Sequence, residues 1–227
     1  MNIIKPYARL MPPSDLAVAD NGFNTNDGMA LLRRIEWCAR ISHRSEDAEP
    51  DTLRFVRSVV LNHGDWSVVE HASASVDFYV DRGITHELVR HRLFAFTQES
   101  TRFVNYEKKM PPAFVCPFED GDGLLRNIAW DKAIQRCEKT YRELIEAGVA
   151  PQIARSVFPN ALASRIVITG NLRNWRHFLL MRTTKEAHPQ MREVTIPLLA
   201  EFKAKIPILY EDIEPEARQA DNLRKGR

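Results

Sequence analysis

The chain is short of glycine and cysteine, with 9 Gly and 3 Cys among 227 residues. It contains neither GxGxxG nor GxxxxGK[ST], so neither a Rossmann dinucleotide site nor a P-loop is indicated. The cysteines show no CxxC spacing, and HExxH and EF-hand patterns are missing, so we expect no metal site. Glycine-rich loops bind phosphate groups through backbone N–H groups, so if this protein binds a phosphorylated ligand it has to do so with side chains.

The chain also lacks a strong net charge and any long hydrophobic run. Its 32 Lys and Arg oppose 30 Asp and Glu, for a formal charge of +2, so no global field points to nucleic acid. No stretch approaches the roughly 20 apolar residues of a membrane span, and no signal peptide is visible. We therefore expect a soluble cytoplasmic protein with reduced thiols, bound to neither nucleic acid nor membrane.

Few strands and more helix are predicted, which favours an α+β fold, a mixed helix and sheet single domain. The length fits one catalytic domain, placed at residues 1–215, with a polar tail at 216–227. Alternating or short apolar runs predict strands at 1–10, 72–80 and 165–169. Apolar residues at helical spacing predict helices at 27–41, 51–62, 84–92, 127–147, 151–158, 172–183 and 189–205. Loops are expected at 11–26, at the TQES run (97–100) and over 104–126.

The densest group of polar side chains is RHRLFAFTQESTR, from Arg90 to Arg102. Planar guanidinium groups match phosphate oxygens two at a time, so this cluster suits a phosphorylated ligand. Taken alone, Arg90, His91 and Arg92 are also typical of a solvated helix face that pairs with Glu87. The acceptors and the further Arg in the segment that follows favour a binding site.

Two other polar segments have both a structural and a functional interpretation. Residues 171–182 place Arg173 and His177 on one side of a predicted helix, either as a binding face or as a solvated face above a core of Trp175, Phe178 and Leu179. Residues 63–71, HGDWSVVEH, form a polar loop leading into a strand. The cysteines are expected to be structural, with Cys38 and Cys137 in the core.

Together these segments resemble the flavin-dependent thymidylate synthase family. The family hallmark, RHR followed by seven residues and Ser, is met by Arg90–Arg92 and Ser100. The supporting patterns follow in the family's order: HGxxSxxEH at 63–71, GVxxxxAR at 148–155, NxRxxxHFxxxR at 171–182 and HPQxRE at 188–193. They span about 60 to 195 of the chain.

The resemblance implies a specific activity. Members methylate dUMP to dTMP, with 5,10-methylenetetrahydrofolate as the one-carbon donor, FAD as cofactor and NADPH as reductant. They use no cysteine nucleophile and form homotetramers with active sites at subunit interfaces. The absence of a plausible cysteine nucleophile in this sequence agrees with that chemistry.

The resemblance also implies roles for individual residues. Arg182 would stabilise the pyrimidine as N3 ionises, and Ser100 would orient the nucleotide, because a serine without an adjacent base is not activated. Arg102 and Arg155 would take the phosphate. The flavin contacts would be Ser67, Arg90, His91, Arg92, Gln98, Asn171, Arg173 and His177. The dUMP contacts would be Glu87, Arg90, Gln98, Glu99, Ser100, Thr101, Arg102, Arg155 and Arg182.

The sequence departs from familiar members at three positions. Gln98 stands where many have Glu, His177 where some have Asn, and Asp65 where His is frequent. Two other functions remain open at this point. One is a nucleic-acid-binding module that stacks bases on Trp66, Trp175 and Phe103. The other is a different flavin or nucleotide-phosphate enzyme on the same scaffold.

Overall fold

The computed structural model describes residues 1–11, 27–45, 47–106, 110–118 and 124–216, the side chains of 124–126 excepted. The predicted loop at 11–26 therefore lies outside the described residues except for Met11, and the predicted tail except for Glu216. The described residues fall into two compact units. Unit 1 takes those within Met1–Tyr7, Phe78–Arg90 and Phe96–Val167, and unit 2 those within Ala8–Asp77, His91–Ala95 and Ile168–Arg227.

Helices account for most of the regular structure. A π-helical stretch at Arg57–Asn62 and two 3₁₀ turns, at Trp66–His71 and Arg155–Val157, accompany them. The α-helices are α1 (Gly28–Ile41), α2 (Thr52–Val56), α3 (Arg82–Leu88), α4 (Leu124–Glu146), α5 (Pro151–Ala154), α6 (Leu172–Arg182) and α7 (Pro189–Lys205).

The described strands form two sheets. They are β1 (Asn2–Ile4), β2 (Tyr7–Leu10), β3 (Ser73–Asp81), β4 (Ala95–Gln98), β5 (Ala113–Val115) and β6 (Ala163–Asn171). β1 pairs with β5 in parallel, with Ile3 opposite Phe114. The larger sheet has the strand order β2-β3-β6-β4. The mixture of helix and sheet agrees with the predicted α+β class.

Local sequence chemistry explains several helix ends. The side chain of Asp27 accepts from the backbone N–H of Met29, and that of Asn171 from the backbone N–H of Asn174 at 2.8 Å, so each caps the helix that follows it. Gly148 adopts φ 83° just after α4, which is the left-handed conformation that commonly ends a helix. These caps match the predicted starts of α1 and α6 and the predicted stop of α4.

Unit 1 has an aromatic core to which α4 and β5 both contribute. Tyr106, Phe114 and Tyr141 are buried, and Phe158 packs against them. The rings of Tyr141 and Phe158 stack with their centroids 4.5 Å apart. Burying side chains of this size contributes about 1.5–3 kcal/mol each.

Unit 2 has its core around α6 and α7. Trp175 is fully buried, donates from its indole N–H to the carbonyl of Ala74 at 2.9 Å and packs against Phe202 at 5.6 Å. The phenol of Tyr210 donates to the carbonyl of Leu172 at 2.9 Å, at the start of α6. The core positions predicted for α6, Trp175, Phe178 and Leu179, are all buried.

Several predicted boundaries were wrong. The helix expected at 84–92 ends at Leu88, because the following residues turn away and His91 packs against Phe178 of unit 2. The TQES run is not entirely a loop, since β4 ends at Gln98. The segment 104–126, which was expected to be a surface excursion, contains the buried strand β5. This strand forms by pairing with β1, which lies far away in the sequence, so no local pattern indicated it.

Smaller corrections concern the first strand, the second helix and the cysteines. The predicted strand at 1–10 is two strands, separated at Lys5 and Pro6, where proline offers no backbone N–H to a ladder. The helix predicted at 51–62 is π-helical from Arg57 onward. Cys38 and Cys137 were placed in the core, but both are only half-buried.

Candidate functional site

Gln98, at the end of β4, is anchored within unit 1 by two hydroxyl groups. Its side-chain nitrogen donates to Thr85 Oγ1 at 3.0 Å and to Ser164 Oγ at 3.2 Å. Thr85 and Ser164 are both fully buried. The amide that replaces the more frequent carboxylate therefore has a defined position, and its predicted ligand contacts stay predictions.

Glu99 is fixed by a tyrosine that the sequence did not point to. The phenol of Tyr106 donates to Glu99 Oε1 at 2.8 Å, and the backbone N–H of Glu99 donates to the carbonyl of Arg165 at 2.8 Å. Burial raises the pKa of Tyr106, and the Glu99 carboxylate raises it further, so the phenol remains a protonated donor. Burial also raises the pKa of Tyr79, again with help from Glu99.

The segment after β4 brings two of the predicted motifs together. Thr101 is buried, and its hydroxyl accepts from Arg155 Nη1 at 2.7 Å across 54 positions of sequence. Arg155 also donates from Nε to the carbonyl of Gln152 at 3.2 Å. The GVxxxxAR segment and the residue that follows Ser100 therefore meet inside unit 1.

Ser100 and Arg102 form the turn between these contacts. The hydroxyl of Ser100 accepts from the backbone N–H of Arg102 at 3.3 Å, and no basic side chain contacts it among the described residues. Ser100 therefore has no general base among the residues that the structure describes, and its orienting role stays a prediction. Arg102 is exposed, and its guanidinium carbon lies 5.5 Å from the ring centroid of Phe103.

Two further predicted residues of unit 1 lie at the end of α3. Glu87 is half-buried in the last turn of the helix, and Arg90 is exposed just beyond it. The backbone N–H of Arg90 donates to the carbonyl of Glu87 at 3.2 Å, which closes the helix. The predicted side-by-side arrangement on one helix face is therefore replaced by a turn.

In unit 2, Arg182 and His91 make a direct contact. Nε of Arg182 donates to Nε2 of His91 at 2.9 Å, so Nε2 carries no proton. Burial first, and then the neighbouring charge of Arg182, lower the pKa of His91 from 6.5 to about 4. The imidazole is therefore neutral at physiological pH.

Aromatic rings hold the imidazole in place. The ring of His91 meets those of Phe178 and Phe94 edge-on, with centroids 4.9 Å and 6.4 Å away. Phe94 packs in turn on Trp175 at 4.7 Å. A Cβ atom at Gly170 would lie 2.3 Å from the Phe94 ring, so the ring occupies the space that any other residue at 170 would need.

The remaining predicted flavin contacts lie on α6, next to it, before β3 or, for Arg92, between α3 and β4. Asn171 uses its side-chain oxygen on the helix cap, and Arg173 pairs with Glu70 at 2.5 Å. His177, Ser67 and Arg92 are exposed. The geometry of the described residues of unit 2 assigns none of these side chains to a ligand, so their roles stay predictions.

Sequence reasoning also missed Arg176, which lies between two predicted site residues. It donates to both carboxylate oxygens of Asp212, at 2.7 and 2.5 Å, and its guanidinium carbon lies 4.5 Å from the ring centroid of Trp66. This arrangement ties the 3₁₀ turn that carries Ser67 to α6. The sequence indicated Arg176 only through its place between Arg173 and His177, because its partners Asp212 and Trp66 lie far away in the chain.

Three observations concern other kinds of binding site or location. Trp175, one of the three rings that the nucleic-acid hypothesis needs, has no exposed surface on which a base could stack. No cluster of three or more His, Cys, Asp or Glu side chains suited to a metal occurs among the described residues. No helix in the described ranges is long and apolar enough to span a bilayer.

A family model described as "Thymidylate synthase complementing protein" matches residues 29–208. A flavin-dependent thymidylate synthase of Mycobacterium tuberculosis is 38% identical over 222 residues, which cover 88% of this chain and 86% of that one. The chain belongs to the flavin-dependent thymidylate synthase family. A second family member, from Corynebacterium efficiens, is 32% identical over 200 residues and covers 80% of this chain and 79% of its own.

A solved structure shares the fold. The UMP/dUMP methylase PolB from Streptomyces cacaoi, crystallised with 5-Br dUMP, superposes with a TM-score of 0.69 at 23% identity. The match covers 93% of this chain and 96% of that one. The predicted fold class is confirmed, and the resemblance found in the motifs extends to nearly the whole chain.

Proposed function

We propose that the chain methylates dUMP to dTMP, with 5,10-methylenetetrahydrofolate as the carbon donor, FAD as cofactor and NADPH as reductant. Membership of the family supports the reaction class. The observation that carries the substrate assignment is the 2.7 Å bond from Arg155 to Thr101, because it joins two predicted nucleotide-binding segments from distant parts of the sequence. The ligand named for the Streptomyces cacaoi structure is a dUMP derivative, in keeping with this substrate.

The nucleotide phosphate is taken by Arg102 and Arg155. Arg102 is exposed, and Arg155 is already oriented by its bonds to Thr101 and Gln152. Guanidinium groups bind phosphate through paired, charge-assisted hydrogen bonds. Ser100 orients the nucleotide, and the further dUMP contacts come from Glu87, Arg90, Gln98, Glu99 and Thr101.

Arg182 polarises the pyrimidine. A fixed cation stabilises the negative charge that develops as N3 loses its proton, which makes the ring carbon nucleophilic. The Nε–H of Arg182 donates to Nε2 of His91 at 2.9 Å. No cysteine is needed as a nucleophile, and all three cysteines are half-buried and free.

The donor groups of the chain fit FAD, whose diphosphate is dianionic. Arg90 and Arg92 are exposed, and neither makes an ion pair with any described residue. The other residues proposed to hold the flavin are Ser67, Gln98, Asn171, Arg173 and His177. When bound, FAD supplies the electrons and can carry the one-carbon unit, so the protein mainly binds and orients.

We also propose a cytoplasmic homotetramer with active sites at subunit interfaces, on the strength of the family resemblance. Sedimentation velocity of the purified protein tests the assembly. A species of four chains is expected, and a monomer active in solution would contradict the proposal.

The activity is tested by tritium release from 5-tritiated dUMP. Release is expected with FAD, NADPH and methylenetetrahydrofolate together and is expected to fall to background when any one is omitted. The purified protein should show flavin absorbance near about 450 nm. Restored growth without thymidine, in cells lacking their own thymidylate synthase, is the cellular counterpart, and a folded flavoprotein that fails both assays contradicts the proposal.

A further inference from the structure

The contact between His91 and Arg182 assigns a role that differs from the flavin contact implied by the motif. We infer that His91 is a positioning residue, which acts on the nucleotide through Arg182 by accepting its Nε–H and so fixing the plane of the guanidinium. The inference rests on the proposed function, because it specifies how the pyrimidine-polarising cation is oriented.

The geometry restrains Arg182 at both ends. Its main-chain carbonyl accepts from Thr195 Oγ1 at 2.8 Å, and its Nε donates to His91 at 2.9 Å. A guanidinium is a rigid fork, so a fixed Nε–H direction also sets the directions of the four other N–H groups. The bond to His91 therefore constrains the direction in which the charged fork of Arg182 points.

The bond requires a neutral imidazole, because only unprotonated Nε2 can accept. The groups of unit 2 that face His91 favour that state: the Arg182 cation and the His177 side chain on α6, and the rings of Phe94 and Phe178. A protonated His91 would lose the acceptor and would face a guanidinium charge. The surroundings therefore preserve the contact over the pH range in which an ordinary histidine titrates.

Phe94 makes the position of the ring specific. It fills the space beside Gly170 and packs between His91 and Trp175. The imidazole consequently has a wall of rings on one side and the guanidinium at its Nε2 edge. A side chain that serves only as packing would not need an acceptor atom at that edge.

A double-mutant cycle separates action through Arg182 from direct contact with the flavin. His91→Leu should lower kcat for tritium release about 30-fold in the wild-type background but less than about threefold in Arg182→Gln. The KM for dUMP and the FAD content measured by absorbance should change less than about twofold. Additive effects in the cycle, or a loss of FAD that excess cofactor reverses, would overturn the inference.

Rescue by a residue of matched shape provides the second arm. His91→Gln places an acceptor near the position of Nε2 and does not titrate, so it should recover most of the kcat lost in His91→Leu. His43→Gln is the matched control, since His43 is exposed in the turn after α1 and should leave kcat unchanged. Equal loss in the Gln and Leu variants would contradict an acceptor role.

A spectroscopic arm does not depend on activity. In protein labelled with ¹⁵N-histidine, the signal missing from His91→Gln identifies His91. Arg182→Gln removes a neighbouring cation and should raise the pKa of His91 from about 4 towards 6.5. An unchanged titration would overturn the pairing even if the wild-type protein released no tritium, whereas failure of the wild type alone would count against the proposed function.

Discussion

Arg182 on α6 of unit 2 and two exposed arginines of unit 1 differ in how they are held. Arg182 is half-buried, and its Nε–H donates to Nε2 of His91. In unit 1, Arg90 and Arg102 are exposed and make no ion pair with a described residue.

This difference separates two tasks that positive charge can perform. A guanidinium already bound to protein partners has a fixed direction, so it can act where charge develops during a reaction. An exposed guanidinium has to be ordered by its ligand and mainly contributes binding. We therefore expect Arg182 to determine turnover and Arg102 to determine nucleotide affinity.

The largest expected effect is on Arg182. Replacing Arg182 with Ala removes a fixed cation from the pyrimidine, which typically costs about 3–4 kcal/mol of transition-state stabilisation. Turnover measured by tritium release at saturating FAD and dUMP should fall on the order of a hundredfold or more. Unchanged turnover would remove the distinction between the two sets of arginines.

Arg102→Ala should act mainly on affinity. Loss of one charge-assisted phosphate contact is expected to raise the KM for dUMP about tenfold to a hundredfold, with kcat less affected. Arg136→Ala is the control, because Arg136 is an exposed arginine on α4 of the same unit. A fall in kcat without a change in KM would place Arg102 with the orienting arginines instead.

Tyr106→Phe tests whether the turn after β4 needs its clamp. The change removes the 2.8 Å bond to Glu99, and a hydrogen bond to a charged group contributes about 1.5–3 kcal/mol. The urea midpoint should fall accordingly, and the KM for dUMP should rise several-fold because the Ser100–Arg102 turn loosens. A stability loss with unchanged KM would limit Tyr106 to a structural role.

The smallest effect is expected at Asp212. Its side chain is 56% exposed, so losing its ion pair with Arg176 in Asp212→Asn should cost less than about 1 kcal/mol. The hydrogen bond from Arg176 lowers the pKa of Asp212 below 3.8, so this contribution is present above that pH and disappears as the pH falls further. Urea midpoints of the two proteins should differ at pH 7 and converge as the pH is lowered below 3.8; a constant difference would exclude the ionised carboxylate as its cause.

The helices whose signals are local were predicted well. The helix predicted at 189–205 is observed as α7, Pro189–Lys205, and Asn171 caps α6 as expected. The strand character of Thr97–Gln98 was missed because it depends on pairing with a strand far along the chain. β5 was missed for the same reason.

The candidate site divides in a similar way. Motif spacing brought out Arg155 and Arg182, and the structure gives each a partner in another predicted segment. Motif spacing could not identify Tyr106, Thr85 or Ser164. Each of them contributes one hydroxyl group that contacts Gln98 or Glu99. Such contacts depend on the folded path of the chain and leave no periodic signal.

The close approach of Phe94 to Gly170 links side-chain size at two separate positions of the chain. The aromatic ring of Phe94 fills the volume beside the backbone of Gly170. A larger side chain at position 170 is therefore accommodated only with a smaller side chain at position 94. Relatives that carry alanine or serine at the position of Gly170 should therefore carry a smaller side chain at the position of Phe94. A variant with larger side chains at both positions should be less stable than either variant with only one of them enlarged.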